Sequence, residues 1–255
     1  SLGEGAGATL LETHAGSGGE ACFANLLTGV LLGEGARLDH LRLQYESEAA
    51  FHFSSTGARL QRDSRYLNHN LCLGARLNRN DIAVELAGEG AAVELHGLTL
   101  GGGRSHLDNH TRVDHLAPHT TSAENYKAVL GDRARGVFNG KVVVHPGAQK
   151  IVAGQSSRNL LLSAGAEMDT KPELEIYADD VQCHHGATVG QLDELALFYL
   201  RSRGVPEAEA RAMLIHAFAG EVLRAIDHEG LRRHCHALVD RRVDQLLGQD
   251  PEEAS

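Results

Sequence analysis

The stretch GVLLGEGARLDHLRLQ, Gly29 to Gln44, joins an apolar run to a second one through a Gly-Glu-Gly-Ala corner. In the second run Leu38, Leu41 and Leu43 are interleaved with Asp39, His40 and Arg42, approximately the two-residue period of a half-buried strand. AAVELHGLTL, KVVVHPGAQKIVA and NLLLSAGAEM read in the same way, as short Val-, Leu- and Ile-rich strands punctuated by Gly. The first two thirds of the chain are therefore expected to be mainly β.

A repeat underlies these strands. Gly-Ala recurs at Gly35, Gly57, Gly74 and Gly90, then at Gly147, Gly165 and Gly186. Spacings near 20 residues predict a β-solenoid, each coil covering the apolar face of the next, with Gly-Ala at the corners. Gly-Ala is common in a chain with 29 Gly, so the repeat alone leaves an ordinary β-sandwich open. The strict period of six that marks left-handed β-helix acyltransferases is absent.

After Gly190 the period becomes helical. QLDELALFYLRSRG sets Leu192, Leu195, Ala196 and Tyr199 on one face and stops at Gly204. A second helix starts at Pro206 with Glu207 and Glu209 in its first turn, and carries Met213, Leu214, Ala217, Phe218, Val222 and Ile226 as its stripe. A third, from about Leu231, carries Cys235, Leu238, Val239 and Leu246 before the polar tail GQDPEEAS. The predicted division is a β region, read as a solenoid core, over 1–190 and a C-terminal helical domain with polar tail over 191–255.

Composition narrows the partners. Twenty-four basic against thirty-four acidic residues, with no Lys/Arg run, argue against nucleic acid. No apolar run reaches membrane-spanning length, and the first residues lack a signal-peptide pattern. Cys22, Cys72, Cys183 and Cys235 are scattered without a C-x-x-C pair, which favours a reducing, cytoplasmic setting over a disulfide scaffold.

Most motifs fail on chemistry. The Gly pairs lack the third Gly of a dinucleotide fingerprint, GVFNGKV ends in Val where a phosphate loop needs a hydroxyl, and neither H-E-x-x-H nor G-x-S-x-G is present. Asp179 and Asp180 are adjacent on a strand or turn and point apart, so a shared catalytic role is disfavoured. His234, Cys235 and His236 diverge by about 100° per residue on a helix and cannot converge on one ion. His106, His110, His115 and His119 would need a helix that Pro118 and the polar residues between them oppose. Cys183 and His185, by contrast, lie on one strand face at i and i+2, with His184 on the other. Two ligands fall short of the four of a closed zinc site, so the pair is either half of a shared metal site or an ordinary strand end.

HTTSAENYKAVLGDRARGVFNGKVVV (His119–Val144), NLLLSAGAEMDTKPELEIYADDVQCHHGATVGQLDELALFYLRSRG (Asn159–Gly204) and PEAEARAMLIHAFAGEVL resemble the SufB/SufD family of iron–sulfur cluster assembly subunits, and its SufD branch rather than SufB. The likeness extends from at least Arg79 to about Val243. It implies a right-handed parallel β-helix followed by a helical domain. It also implies a non-enzymatic scaffold: the β-helix pairs with SufB, the helical region engages the ATPase SufC, and iron or a nascent cluster is held transiently between the subunits. The family's cluster-site histidine falls on His185 and its nearby cysteine on Cys183, with a SufB cysteine completing the set; the isolated chain is expected to hold no cofactor, and the sequence leaves open whether it is a homodimer. His184 stands where the family usually has Ser. Family members carry a substantial segment before the β-helix, so the chain reads as a fragment or a short form. The alternatives are a β-helix enzyme acting on carbohydrate and a purely structural solenoid that dimerises.

Overall fold

In the computed structural model, which describes residues 1–16 and 19–248, the strands follow one another from end to end of the β region. They are β1 (Gly7–Ala15), β2 (Phe23–Leu32), β3 (Arg37–Tyr45), β4 (Phe51–Leu60), β5 (Arg65–Cys72), β6 (Leu77–Leu86) and β7 (Ala92–Gly101), then β8 (His106–His115), β9 (Thr121–Leu130), β10 (Arg135–Val144), β11 (Ile151–Leu161), β12 (Glu167–Ile176) and β13 (Val181–Gly190). Three helices follow: α1 (Glu194–Ser202), α2 (Glu207–Leu223) and α3 (Glu229–Leu246). Of the polar tail expected after the third helix, 248–255, all but Gly248 lies outside the described residues.

Odd-numbered strands form one parallel sheet, β1-β3-β5-β7-β9-β11-β13, and even-numbered strands the other, β12-β10-β8-β6-β4-β2. Each coil is thus two strands and two turns, and about six coils stack into a β-solenoid, as the sequence led one to expect. The coil is longer than the Gly-Ala spacing suggested. Gly7 pairs with Arg37, Arg37 with Arg65, Arg65 with Ala92, Ala92 with Thr121 and Thr121 with Val152, so one coil takes 27 to 31 residues rather than about 20.

The turns explain the difference. Where an even strand passes to the next odd one, positive φ recurs at Gly35, Asp63, Gly90 and His119 and then at both Gly147 and Lys150, with Gly5 in the matching place before β1 and no such residue before β13. Their backbone N–H groups donate to the coil above, Gly35 to Arg62 O, Asp63 to Glu89 O, Gly90 to Pro118 O and His119 to Gln149 O. Gly fills this position in only some coils. Gly57 and Gly186 lie inside β4 and β13, not at corners, so Gly186-Ala187 is not the last corner of the solenoid.

Both faces of the odd sheet are buried. Leu38, Leu60, Tyr66, Val84, Val93 and Phe138 meet between the sheets in one apolar cluster. Leu41, Leu43, Leu71, Leu98 and Leu100 point the other way and pack beneath Ile215, Ala219, Val222, Cys235 and Val239 of α2 and α3. A buried lysine fastens this layer: Lys127 Nζ of β9 donates to Phe218 O at 2.8 Å and Glu221 Oε2 at 2.6 Å and lies 4.1 Å over the Phe218 ring. Helix α1 begins and ends where its capping residues dictate. Asp193 caps α1, and Gly204, at φ 88°, closes it with the paired bonds Gly204 N–H to Arg201 O and Val205 N–H to Leu200 O. The face of α1 differs from expectation: Leu197 is buried, while Leu195 and Phe198 are 78% and 69% exposed and Tyr199 is exposed too. On α2, Val222 is buried and Ile226 just beyond it, whereas Met213 is exposed.

Candidate functional site

Strand β13 is the last strand of the odd sheet, hydrogen-bonded to β11 on one side and, among the described residues, unpaired on the other. In its register Cys183 stands beside Ala153, His184 beside Gly154 and His185 beside Gln155. Ala153 and Gln155 are buried inside the solenoid, so Cys183 and His185 share the inward face at its open end. Cys183 is half-buried against the apolar cluster together with Val181, whereas His185 is exposed. Burial pushes the Cys183 thiol up, and a backbone hydrogen bond with Ala153 pulls the other way.

His184 occupies the outer face and lies over the backbone of Gly154, where a Cβ would come within 2.8 Å of its Nε2. The extra imidazole therefore points away from the Cys183–His185 pair. Asp179 and Asp180 form the turn into β13: Asp180 N–H donates to Gln149 Oε1 at 2.8 Å, and Asp180 O accepts from Lys150 N–H at 2.6 Å. Their role is to close the coil.

The other histidine groups are dispersed. His106 and His110 face outward from β8, His110 against Asp108 at 2.9 Å; His115 faces inward between Thr120 and Ser122; His119 sits in a turn. On α3, Cys235 is buried, with its thiol pushed up to about 11, while His234 is exposed. Among the described residues, no three His, Cys, Asp or Glu side chains gather as a ligand set. Cys183 and His185 thus amount to two ligands on an open edge.

Behind them lies a feature that the sequence pattern did not reveal. The inward residues of the odd sheet include His40, Arg42, Gln44, Asn70, Glu124 and Gln155, all buried. They bond one another and the even sheet across the interior: Arg42 Nη1 to Asn80 Oδ1 at 2.9 Å, Asn70 Nδ2 to Asn109 Oδ1 at 3.0 Å, Gln155 Nε2 to Glu124 Oε1 at 3.1 Å, with Thr111 donating to Glu124 Oε2. Burial pushes the Glu124 carboxyl up to about 7, against the pull of the hydrogen bonds from Thr111 and Gln155. In SAENYK these residues carry the same two-residue period as a solvent-facing row, and only the coil register tells the two apart.

Residues 1–218 match the family described as SUF system FeS cluster assembly, SufBD core domain. The chain belongs to the SufBD family. Across this family it is 35% identical over 242 residues to the iron–sulfur cluster assembly protein SufD of Escherichia coli, covering 95% of this chain and 57% of that protein. It is 40% identical over 221 residues to a SufBD family protein of Synechocystis, covering 87% of this chain and 49% of that one. SufD of Bacillus subtilis is 30% identical over 224 residues, covering 86% and 50%. The chain spans about half the length of the curated SufBD relatives it matches. None of its described helices is long and apolar enough to cross a membrane.

Proposed function

We propose that the chain is a non-enzymatic scaffold subunit in iron–sulfur cluster assembly. Its solenoid pairs with a SufB-like subunit, its helices engage a SufC-like ATPase, and iron or a nascent cluster passes through the subunit interface as cargo, in the cytoplasm or an equivalent reducing compartment. His185 and Cys183 are this chain's contribution to the cargo site. The observation that carries the reading is their position: one imidazole and one thiol on the same inward face of an unpaired edge strand, too few ligands by themselves and open to completion by a partner's thiolate. Mixed imidazole and thiolate ligation holds iron less firmly than four thiolates, which suits a cluster that must leave. The same unpaired edge accommodates a second copy of the chain when the partner is missing.

The test is anaerobic co-purification with SufB-like and SufC-like partners, quantifying iron and sulfide for the wild type and His185→Ala. The three proteins are expected to co-purify unchanged while iron and sulfide fall. An undiminished cluster yield from His185→Ala would remove the role assigned to that residue.

A further inference from the structure

Gln155 is 2% exposed and its amide is held on one side only. Its Nε2 donates to Glu124 Oε1 at 3.1 Å, and Glu124 is held in turn by Thr111. Opposite it stands Gly140, where any Cβ would overlap the Gln155 amide, so the even sheet leaves the space that amide fills. Its Oε1 is buried and has no hydrogen-bond partner among the described residues. A buried carbonyl oxygen without a donor is costly, and a donor is close at hand. Directly above Gln155 in the parallel register, on the same inward face and about 4.8 Å away by strand spacing, is His185. Of the other inward neighbours in the odd sheet, Ala153 offers no side-chain donor and Glu124 already accepts from the Gln155 amide, while the hydroxyls of Ser157 and Tyr126, one step along the same face, make no bond to Oε1.

We infer that Gln155 is a positioning residue for His185: its Oε1 accepts a ring N–H of His185 and so selects which ring nitrogen keeps a lone pair for iron. The inference rests on the reading of His185 as a ligand. A histidine ligand is fixed in tautomer and orientation by the bond its other nitrogen makes, and removing that partner weakens metal binding without touching the ligand itself. Thr111, Glu124 and Gln155 form a buried chain of bonds that ends at the open edge, so the acceptor offered to His185 comes from the rigid interior of the solenoid.

Ring-nitrogen NMR of the ¹⁵N-histidine-labelled chain, with the His185 signals assigned by their loss in His185→Ala, reads the tautomer directly and without iron. The wild type is expected to hold one tautomer in large excess. Gln155→Leu is expected to move the tautomer ratio to that of free histidine and, in the complex with SufB-like and SufC-like partners, to weaken Fe(II) retention by about 10- to 100-fold. A wild-type ratio equal to that of free histidine would overturn the inference even if Gln155→Leu failed to fold, and so would an unchanged ratio in a folded Gln155→Leu. The two readings separate cleanly. If the tautomer shifts while iron retention is indifferent to both Gln155→Leu and His185→Ala, the Gln155–His185 bond stands and the ligand role falls.

Discussion

Glu124 is a carboxyl group sealed inside the solenoid, and its burial should write itself into the pH dependence of stability. Its acidity shifts from an ordinary value of 4.5 to about 7 because desolvation outweighs the hydrogen bonds from Thr111 and Gln155. In the unfolded chain it ionises as pH passes 4.5; in the folded protein it stays protonated until about 7. Between those values the folded state binds more protons, so the stabilisation present below pH 4.5 is lost as pH rises through 7. A separation of this size corresponds to roughly 3 kcal/mol.

Glu124→Gln removes the titration and keeps the shape. The amide oxygen can accept from Gln155 Nε2, and the amide nitrogen can donate to Thr111. The variant should match the wild type within about 1 kcal/mol near pH 4.5 and exceed it by about 3 kcal/mol at pH 8. Urea unfolding followed by circular dichroism across this range gives the difference directly. His69 and His115, both held down by burial, titrate in both proteins and cancel. Stability curves that run parallel from pH 4.5 to pH 8, or a variant that loses ground above pH 7, would refute the reasoning.

Two further perturbations address the layer between helices and solenoid. His69, stacked on His96 at 5.3 Å with neither ring nitrogen hydrogen-bonded, is pushed down to about 3 by burial and by His96. It therefore favours folding above pH 6.5, and that contribution is lost as pH falls toward 3; His69→Leu should remove about 3 kcal/mol of destabilisation between pH 6.5 and pH 4, read from urea midpoints. Lys127→Met should cost about 2 kcal/mol, less than for a fully buried pair because Glu221 is part-exposed and keeps Arg158 as a partner. Faster amide exchange confined to α2 would accompany it, and unchanged exchange there would show that the latch is not what holds this helix.

The fold class was readable from the sequence because strand-like runs and helical runs segregate at Gly190, whereas the coil length was not. The residue that repeats is a backbone conformation rather than a residue type: Gly5, Gly35 and Gly90 share the left-handed position with Asp63, His119 and Lys150. Gly-Ala pairs mix these turns with opposite-side turns and with strand interiors such as Gly57, and the mixture imitates a shorter period. The helical faces were partly legible. Val222, Cys235, Leu238 and Val239 are buried as their spacing predicts, but LALFYL in α1 is apolar almost all round, so periodicity could not choose Leu197 over Leu195.

The inward and outward faces of β3 show why the site was half legible. Leu41 and Leu43 look like the core and lie outside the solenoid under helices, while His40, Arg42 and Gln44 look solvent-facing and lie inside it. A parallel sheet covered on both faces has no solvent row, so polarity along a strand no longer reports direction. Spacing within one strand still pairs Cys183 with His185, since alternation is a local property. What stands beside His185 depends on the coil length, because its neighbours arrive from Gln155 and Glu124, 30 and 61 positions earlier. With coils of 27 to 31 residues the inward row runs His185, Gln155, Glu124, Leu95, Asn68, His40. Its first three members, His185, Gln155 and Glu124, form one polar segment reaching the exposed edge, so a substitution at Glu124 or Gln155 acts on the environment of His185 as well as on the core.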